Sequence, residues 1–352
     1  MQLDARNTPG TGYRVRGTGV LIASTITALA LGSVVMSAQA PKVAIKSLPA
    51  EKKVEVTVDG KPFTTYMWPD TLEKPVLYPI TTAGGTVITR GFPTLPGERE
   101  DHPHHVGLWF NYGDVDGFDF WNNSDAIKPD QKPKMGSVKH REVVKTASKG
   151  DHATLQVKAD WISGDGKTRL HETTTFTFRA AAGGVRMIDR VTTLAAAKGA
   201  GTVKLTDNKE GTLGLRVIRA LEDPAEKGNA GTPASGQYLS SEGKTGKEVW
   251  GTRGAWTKLS GTLAGKDVTV AILDAPGNPG YPTYWHARGY GLFAANPLGQ
   301  AALSNNKDTL NFSISEGAPA TFRYRILLLD ATPTAEQMQK YAAAWAATSS
   351  GS

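Results

Sequence analysis

The chain has no cysteine among its 352 residues. Disulfides, thiol catalysis and cysteine-based metal centres are therefore excluded, and the fold must be held by its core alone. Beyond residue 40 there is no apolar run of the roughly 18 to 20 residues that a membrane-crossing helix needs. The excess of positive charge is mild, with 40 Lys and Arg against 33 Asp and Glu. The lysines are scattered between polar segments instead of forming a basic stripe, so nucleic acid is not an expected partner. No repeat of 20–50 residues marks a propeller or a solenoid.

The long apolar segment that is present lies at the start. Arg6, Arg14 and Arg16 precede an apolar or small-residue run over 20–36, and Ala38-Gln39-Ala40 closes it with the small-x-small pattern of a signal peptidase site. Residues 1–40 read as a signal peptide. The expectation is an exported protein, periplasmic or extracellular, with no stable membrane insertion once the signal is gone.

Residues 41–352 read as one domain. Short β-rich runs alternate with Gly, Pro, Asp and Asn clusters, the signature of antiparallel sheets. Residues 54–58, Val-Glu-Val-Thr-Val, alternate strictly, and Asp59-Gly60 comes next as a hairpin turn. A four-strand meander is expected over 138–146, 153–161, 169–179 and 185–194. Further strands are expected at 203–206, 212–221, 268–274, 291–294, 308–315 and 322–329. Only 334–347 reads as a helix, with Thr334 as its N-cap and Met338, Tyr341, Ala342 and Trp345 at helical spacing. The fold class is all-β: a large two-sheet antiparallel sandwich of ten to fifteen strands with a concave face and a short C-terminal helix.

Chemistry concentrates in three segments. The first is His102-Pro103-His104-His105, flanked by Glu98, Arg99, Glu100 and Asp101. Imidazole titrates near neutrality and serves as acid, base or metal ligand, so such a cluster is a candidate site. It runs on through Trp109, Asn111, Asp114, Asp119 and Trp121, which combine aromatic faces with small polar acceptors as a pyranose site requires. Read as a strand, His102 and His104 share one face and, with a third ligand such as His286, suit a facial metal site. No cofactor is required by the sequence, and a His-bound divalent metal is left open.

The second segment, Asp207 to Arg216, places Lys209 and Glu210 at the mouth of a strand as acid and base, or simply as a surface ion pair. The third runs through Trp285, His286, Arg288, Tyr290 and Asn296. As strand residues two apart, His286 and Arg288 would project together to bind a carboxylate or stabilise an oxyanion.

His-Pro-His-His-Val-Gly-Leu-Trp-Phe, Asp-Asn-Lys-Glu-Gly and Trp-His-Ala-Arg-Gly-Tyr-Gly-Leu-Phe-Ala-Ala-Asn-Pro occur here in that order. In this the chain resembles, over about 50–330, the secreted family labelled methane oxygenase PmoA. Members typically show Asp-His-x-His-His-Arg-Gly-Leu-Trp and Gly-Asp-Val-Asn-Gly, whereas this chain has Val106 for the Arg and Asp116 for the Asn. The resemblance implies a sandwich similar to the galactose-mutarotase-like supersandwich. The label implies a membrane-spanning subunit, for which residues 41–352 supply no segment.

The function expected is that of a carbohydrate-active enzyme of glycoside hydrolase, lyase or epimerase type. His104 or His105 is the expected base, Glu210 the acid, His286 and Arg288 the polarising groups. Substrate contacts are expected from His102, Trp109, Asn111, Asp114, Asp119, Trp121, Lys209, Trp285, Tyr290 and Asn296. The alternatives are a non-catalytic glycan-binding envelope protein and a metal-dependent oxygenase. The enzyme requires the three segments to converge, the binder an open groove, and the oxygenase a His triad at metal-ligand distance.

Overall fold

The computed structural model describes residues 9–17, 40–226 and 233–349. Most of the expected signal peptide lies outside these. Residues 9–17 form no helix or strand, and no helix among the described residues is long and apolar enough to cross a membrane. The described residues from Ala40 onward form one compact unit.

In chain order the strands are β1 (Val43–Leu48), β2 (Lys53–Val58), β3 (Lys61–Met67), β4 (Val76–Ile80), β5 (Leu108–Tyr112), β6 (Gly136–Lys149), β7 (His152–Ser163), β8 (Thr168–Ala181) and β9 (Val185–Ala196). They continue as β10 (Thr202–Leu205), β11 (Gly211–Arg216), β12 (Gln237–Ser240), β13 (Trp256–Leu263), β14 (Lys266–Asp274), β15 (Tyr284–Ala287), β16 (Leu292–Asn296), β17 (Phe312–Ser315) and β18 (Ala320–Leu329). Two α-helices, α1 (Gln300–Ser304) and α2 (Ala335–Ser349), and short 3-10 turns complete the described elements.

Two antiparallel eight-stranded sheets carry the fold, one ordered β1-β2-β3-β4-β5-β11-β16-β15 and the other β12-β13-β14-β18-β9-β8-β7-β6. The expected meander forms the β6 to β9 half of the second sheet. Alternation puts Phe322, Tyr324, Ile326 and Leu328 of β18 into the core between the sheets, while Leu327 and Leu329 face outward beneath α2. That helix starts as expected: the Thr334 hydroxyl accepts the Gln337 N–H at 3.2 Å, and the Gln337 side chain accepts the Thr334 N–H at 2.8 Å. The pair is a capping box. Eighteen strands are described, more than expected. Pro62 and Pro79 interrupt the alternation of β3 and β4, and short strands such as β12 carry too few residues to show a period.

A buried ion pair ties neighbouring strands of the second sheet and faces the first. Arg190 of β9 donates to Glu172 of β8 at 2.7 Å, and the same carboxylate accepts the Trp161 indole N–H at 2.9 Å and the Thr174 hydroxyl at 2.6 Å. The Arg190 guanidinium lies over Phe176 of its own sheet at 5.0 Å and over Phe110 of the opposite sheet at 4.8 Å. Removing one member of such a pair strands a buried charge, which costs about 3–5 kcal/mol. Glu172→Gln is therefore expected to lower stability by that amount in urea unfolding, and Glu172→Gln/Arg190→Met to recover part of it. A single variant within about 1 kcal/mol of the parent would show that the pair is not what ties these strands.

Candidate functional site

The first sheet has two different faces, and strand register decides which residues share each. On β5, β11, β16 and β15 one rung is Phe110, Leu213, Ala295 and Trp285, all in the core between the sheets. The next rung is Trp109, Gly214, Ala294 and His286, on the opposite face. Gly214 is required there: a Cβ would stand 2.5 Å from the Trp109 ring and 2.8 Å from Trp121. Trp109 and Trp121 pack with Val76, Val106, Leu292 and Ala294 as an apolar layer under the site.

Above that layer the segment containing the His cluster runs as a loop into β5. Arg90 gathers it, donating to the backbone carbonyls of Arg99 (3.2 Å), Asp101 (2.7 Å), His102 (2.9 Å) and His105 (3.0 Å) and to the Asp101 carboxylate (2.8 Å). Gly107 lets the loop turn into the strand, since its φ is +59° and a Cβ would lie 2.2 Å from the Leu77 carbonyl oxygen. Arg216, fully buried at the end of β11, donates to the same Asp101 oxygen at 2.6 Å. Burial alone would raise the Asp101 carboxyl; the bond to His102 and the charges of Arg216 and Arg90 hold it well below the usual carboxylate range.

The loop lines its rings into a column. Tyr290 stacks on His102 at 5.0 Å, His102 on His105 at 4.8 Å, and His105 on Trp109 at 5.1 Å. The Arg216 Nη1 stands 3.3 Å from Nδ1 of His105. A guanidinium can only donate, so that nitrogen accepts and the proton of His105 sits on Nε2, a buried donor with no partner among the described residues. His286 has the opposite tautomer. Its Nδ1 is 2.9 Å from the Lys209 carbonyl oxygen, which can only accept, so the lone pair is on Nε2. Burial, then the charges of Arg288 and Lys209, press the His286 ring down to about 3. Burial with the neighbouring His104 and Arg216 lowers His105 well below 6.5. Both rings are neutral at physiological pH.

Glu210 closes the arrangement. One carboxylate oxygen lies 3.2 Å from the Lys209 amine and the other 3.7 Å from Nδ1 of His286. Burial raises its pKa against the opposing charge of Lys209. Arg288, exposed just beyond β15, sits over Tyr290 at 5.6 Å and over Trp250 at 5.9 Å. His102, Lys209, Glu210, His286, Arg288 and Tyr290 thus come together from all three segments.

Several expected site residues stand elsewhere. Trp285 points into the core because it is one residue from His286 on a strand. Trp109 and Trp121 are fully buried, so neither offers a face for a sugar. Asp119 accepts the backbone N–H groups of Trp121 and Asn122, both at 2.9 Å, and Asp114 accepts that of Gly117 at 2.8 Å. Asn111 donates to the Phe120 carbonyl at 2.5 Å. Asn296 donates to the Asn208 carbonyl at 2.8 Å and accepts the N–H groups of Leu298 and Gly299 at 3.2 and 3.0 Å. These residues organise turns. His104 lines a separate pocket with Lys74. His102 and His104 do not share a strand face, because the segment is a loop in which His102 has φ +44°. Among the described residues no three His, Asp or Glu side chains are grouped to hold a metal ion.

The sequence alone assigns no role to Arg90, Asp101, Arg216 or Trp250. The carboxylate directly before the His cluster was the signal for Asp101. Nothing local marks Arg90 or Arg216, which act across the fold.

A family model matches residues 53–343, described as a family of unknown function, DUF6807. The chain belongs to that family. Its description states no activity, and the methane-oxygenase label does not occur in it. No curated protein matches in sequence. Among solved structures, galactose 1-epimerase from Lactobacillus acidophilus NCFM is similar at 8% identity and TM-score 0.37, over 83% of this chain and 98% of that one. A GalM/aldose epimerase homologue from C. elegans is similar at 8% identity and TM-score 0.32, over 82% and 98%.

The depressed imidazoles make stability depend on pH. A folded pKa of about 3 for His286 and about 2 for His104, against 6.5, means that the unfolded chain binds protons the folded chain refuses. Their contribution is complete above pH 6.5 and is lost as pH falls toward 3. Asp274, raised to about 7 by burial, works in the other direction. His286→Asn is therefore expected to flatten the fall in melting temperature between pH 6.5 and 4 relative to the parent. Identical slopes for the two proteins would contradict a buried neutral His286.

Proposed function

We propose that this DUF6807 chain is an exported enzyme acting on carbohydrate by proton transfer, with Nε2 of His286 as base and the Glu210 carboxyl as acid. The observation carrying this is the pairing of a neutral imidazole, its lone pair fixed on Nε2, with a carboxyl whose pKa is raised, 3.7 Å from the other nitrogen of that ring. A base and an acid held apart in their preferred states are what ring opening, epimerisation and β-elimination of a sugar require. His102 and Tyr290, half-buried and stacked on one another, border the site, and Arg288 supplies a guanidinium that can bind hydroxyl or carbonyl oxygen.

Two-carboxylate glycoside hydrolysis fits the residues less well. The oxygens of Asp119 are engaged by Trp121 and Asn122, so Asp119 is not available to act as a second carboxylate with Glu210.

The test is turnover of purified protein on a panel of free aldoses, glycosides and 3-keto-glycosides. General acid–base groups contribute about 10²–10⁴ in rate, so His286→Gln and Glu210→Gln should each lower kcat by at least ~10². Since the reactive form keeps Glu210 protonated, activity should decline as pH rises through the raised pKa of that carboxyl. Glycan binding without turnover on any substrate would overturn the catalytic reading and leave a binding protein.

A further inference from the structure

On the other side of the His loop, a pocket of about 340 Å³ is lined by residues that include Glu73, Lys74, Phe92, His104 and Ser124. Lys74 is 3% exposed, and its amine makes one bond, to the His104 carbonyl oxygen at 2.7 Å. Among the described residues no carboxylate pairs with it. Glu73, its neighbour in sequence, is engaged by Lys132 at 3.0 Å, Lys139 at 2.8 Å and the Ser137 hydroxyl at 2.7 Å. The ring of Trp109 lies 5.3 Å away. Two further buried polar atoms of the same lining, Nε2 of His104 and Oγ of Ser124, have no partner among the described residues. A buried ammonium usually has a counter-charge, and a roomy pocket with several unpartnered polar atoms is suited to a small polar ligand.

We propose that Lys74 is an imine-forming amine and that this pocket takes a small aldehyde or ketone, such as the open-chain form of a sugar. The nitrogen lone pair forms a C–N bond to the carbonyl carbon. The carbonyl oxygen leaves as water with the two amine hydrogens, and C=N replaces C=O. No oxidant or further reactant is consumed. Burial lowers the amine to about 7, so half of it is uncharged at neutral pH, whereas an exposed lysine is almost wholly protonated. Imine formation at Lys74 is independent of the chemistry proposed at His286 and Glu210.

The probe is glycolaldehyde with cyanoborohydride on the full chain, the adducts being located by peptide mapping. At pH 7 Lys74 is expected to be labelled at least tenfold faster than Lys132 or Lys139. From pH 7 to 9 its rate should rise about twofold, whereas a free lysine side chain, with a pKa of about 10.4, rises roughly a hundredfold. The readout uses the unaltered protein, so no variant has to fold. Labelling of Lys132 and Lys139 that leaves Lys74 unmodified, or a Lys74 rate that climbs roughly a hundredfold over that range as a free lysine's does, would overturn the proposal.

Discussion

One oxygen of Asp101 accepts from two guanidiniums, at 2.8 Å from Arg90 and 2.6 Å from Arg216, and the rest of the site depends on that point. Arg90 spends its remaining donors on the loop carbonyls. Arg216 turns its other nitrogen to His105 and so sets the tautomer of that ring. The second oxygen of Asp101 lies 3.1 Å from Nδ1 of His102. Burying two cations beside one carboxylate is costly unless nearly every donor is used. The loop carbonyls take those of Arg90, and Asp101 and His105 take those of the Arg216 terminal nitrogens, which ties loop shape and ring alignment to the same charge cluster.

The second constraint is the strand period. Because successive side chains of β5, β11, β16 and β15 point to opposite faces, the sheet can bury Phe110, Leu213 and Trp285 against its partner sheet while presenting His286 and Arg216 on the other side. Gly214 and Ala294 keep the middle of that outer rung low, and the indoles of Trp109 and Trp121 fill it. The aromatic residues therefore act as a floor that holds the imidazoles in place and dry. Dryness in turn keeps the imidazoles neutral, which is what the proposed proton transfer uses.

Much of the fold was legible in the sequence because long strands in a meander carry many periods: β6 to β9 were read nearly to their ends, and Thr334 marked α2. The Pro-interrupted β3 and β4 and the four-residue β12 and β15 carry too few. The three segments of the site were likewise visible as dense clusters of His, carboxylate and aromatic residues. Their internal geometry was not. Whether Trp285 or His286 faces the site depends on register, and whether the His cluster is strand or loop depends on Arg90, which lies outside it in sequence. Lys74 carries no signal in its neighbours at all, since its burial comes from contacts with residues 92–126.

The proposed proton transfer depends most directly on the opposed tautomers that Arg216 and the Lys209 carbonyl impose. Long-range proton–nitrogen NMR correlation of ¹⁵N-histidine-labelled protein at neutral pH reads them. The expected spectrum has His105 protonated at Nε2 alone and His286 at Nδ1 alone, with Arg216→Met releasing the first and sparing the second. Imidazolium signals from either ring, or a tautomer of His105 that does not respond to loss of Arg216, would contradict the arrangement on which the proposed chemistry depends.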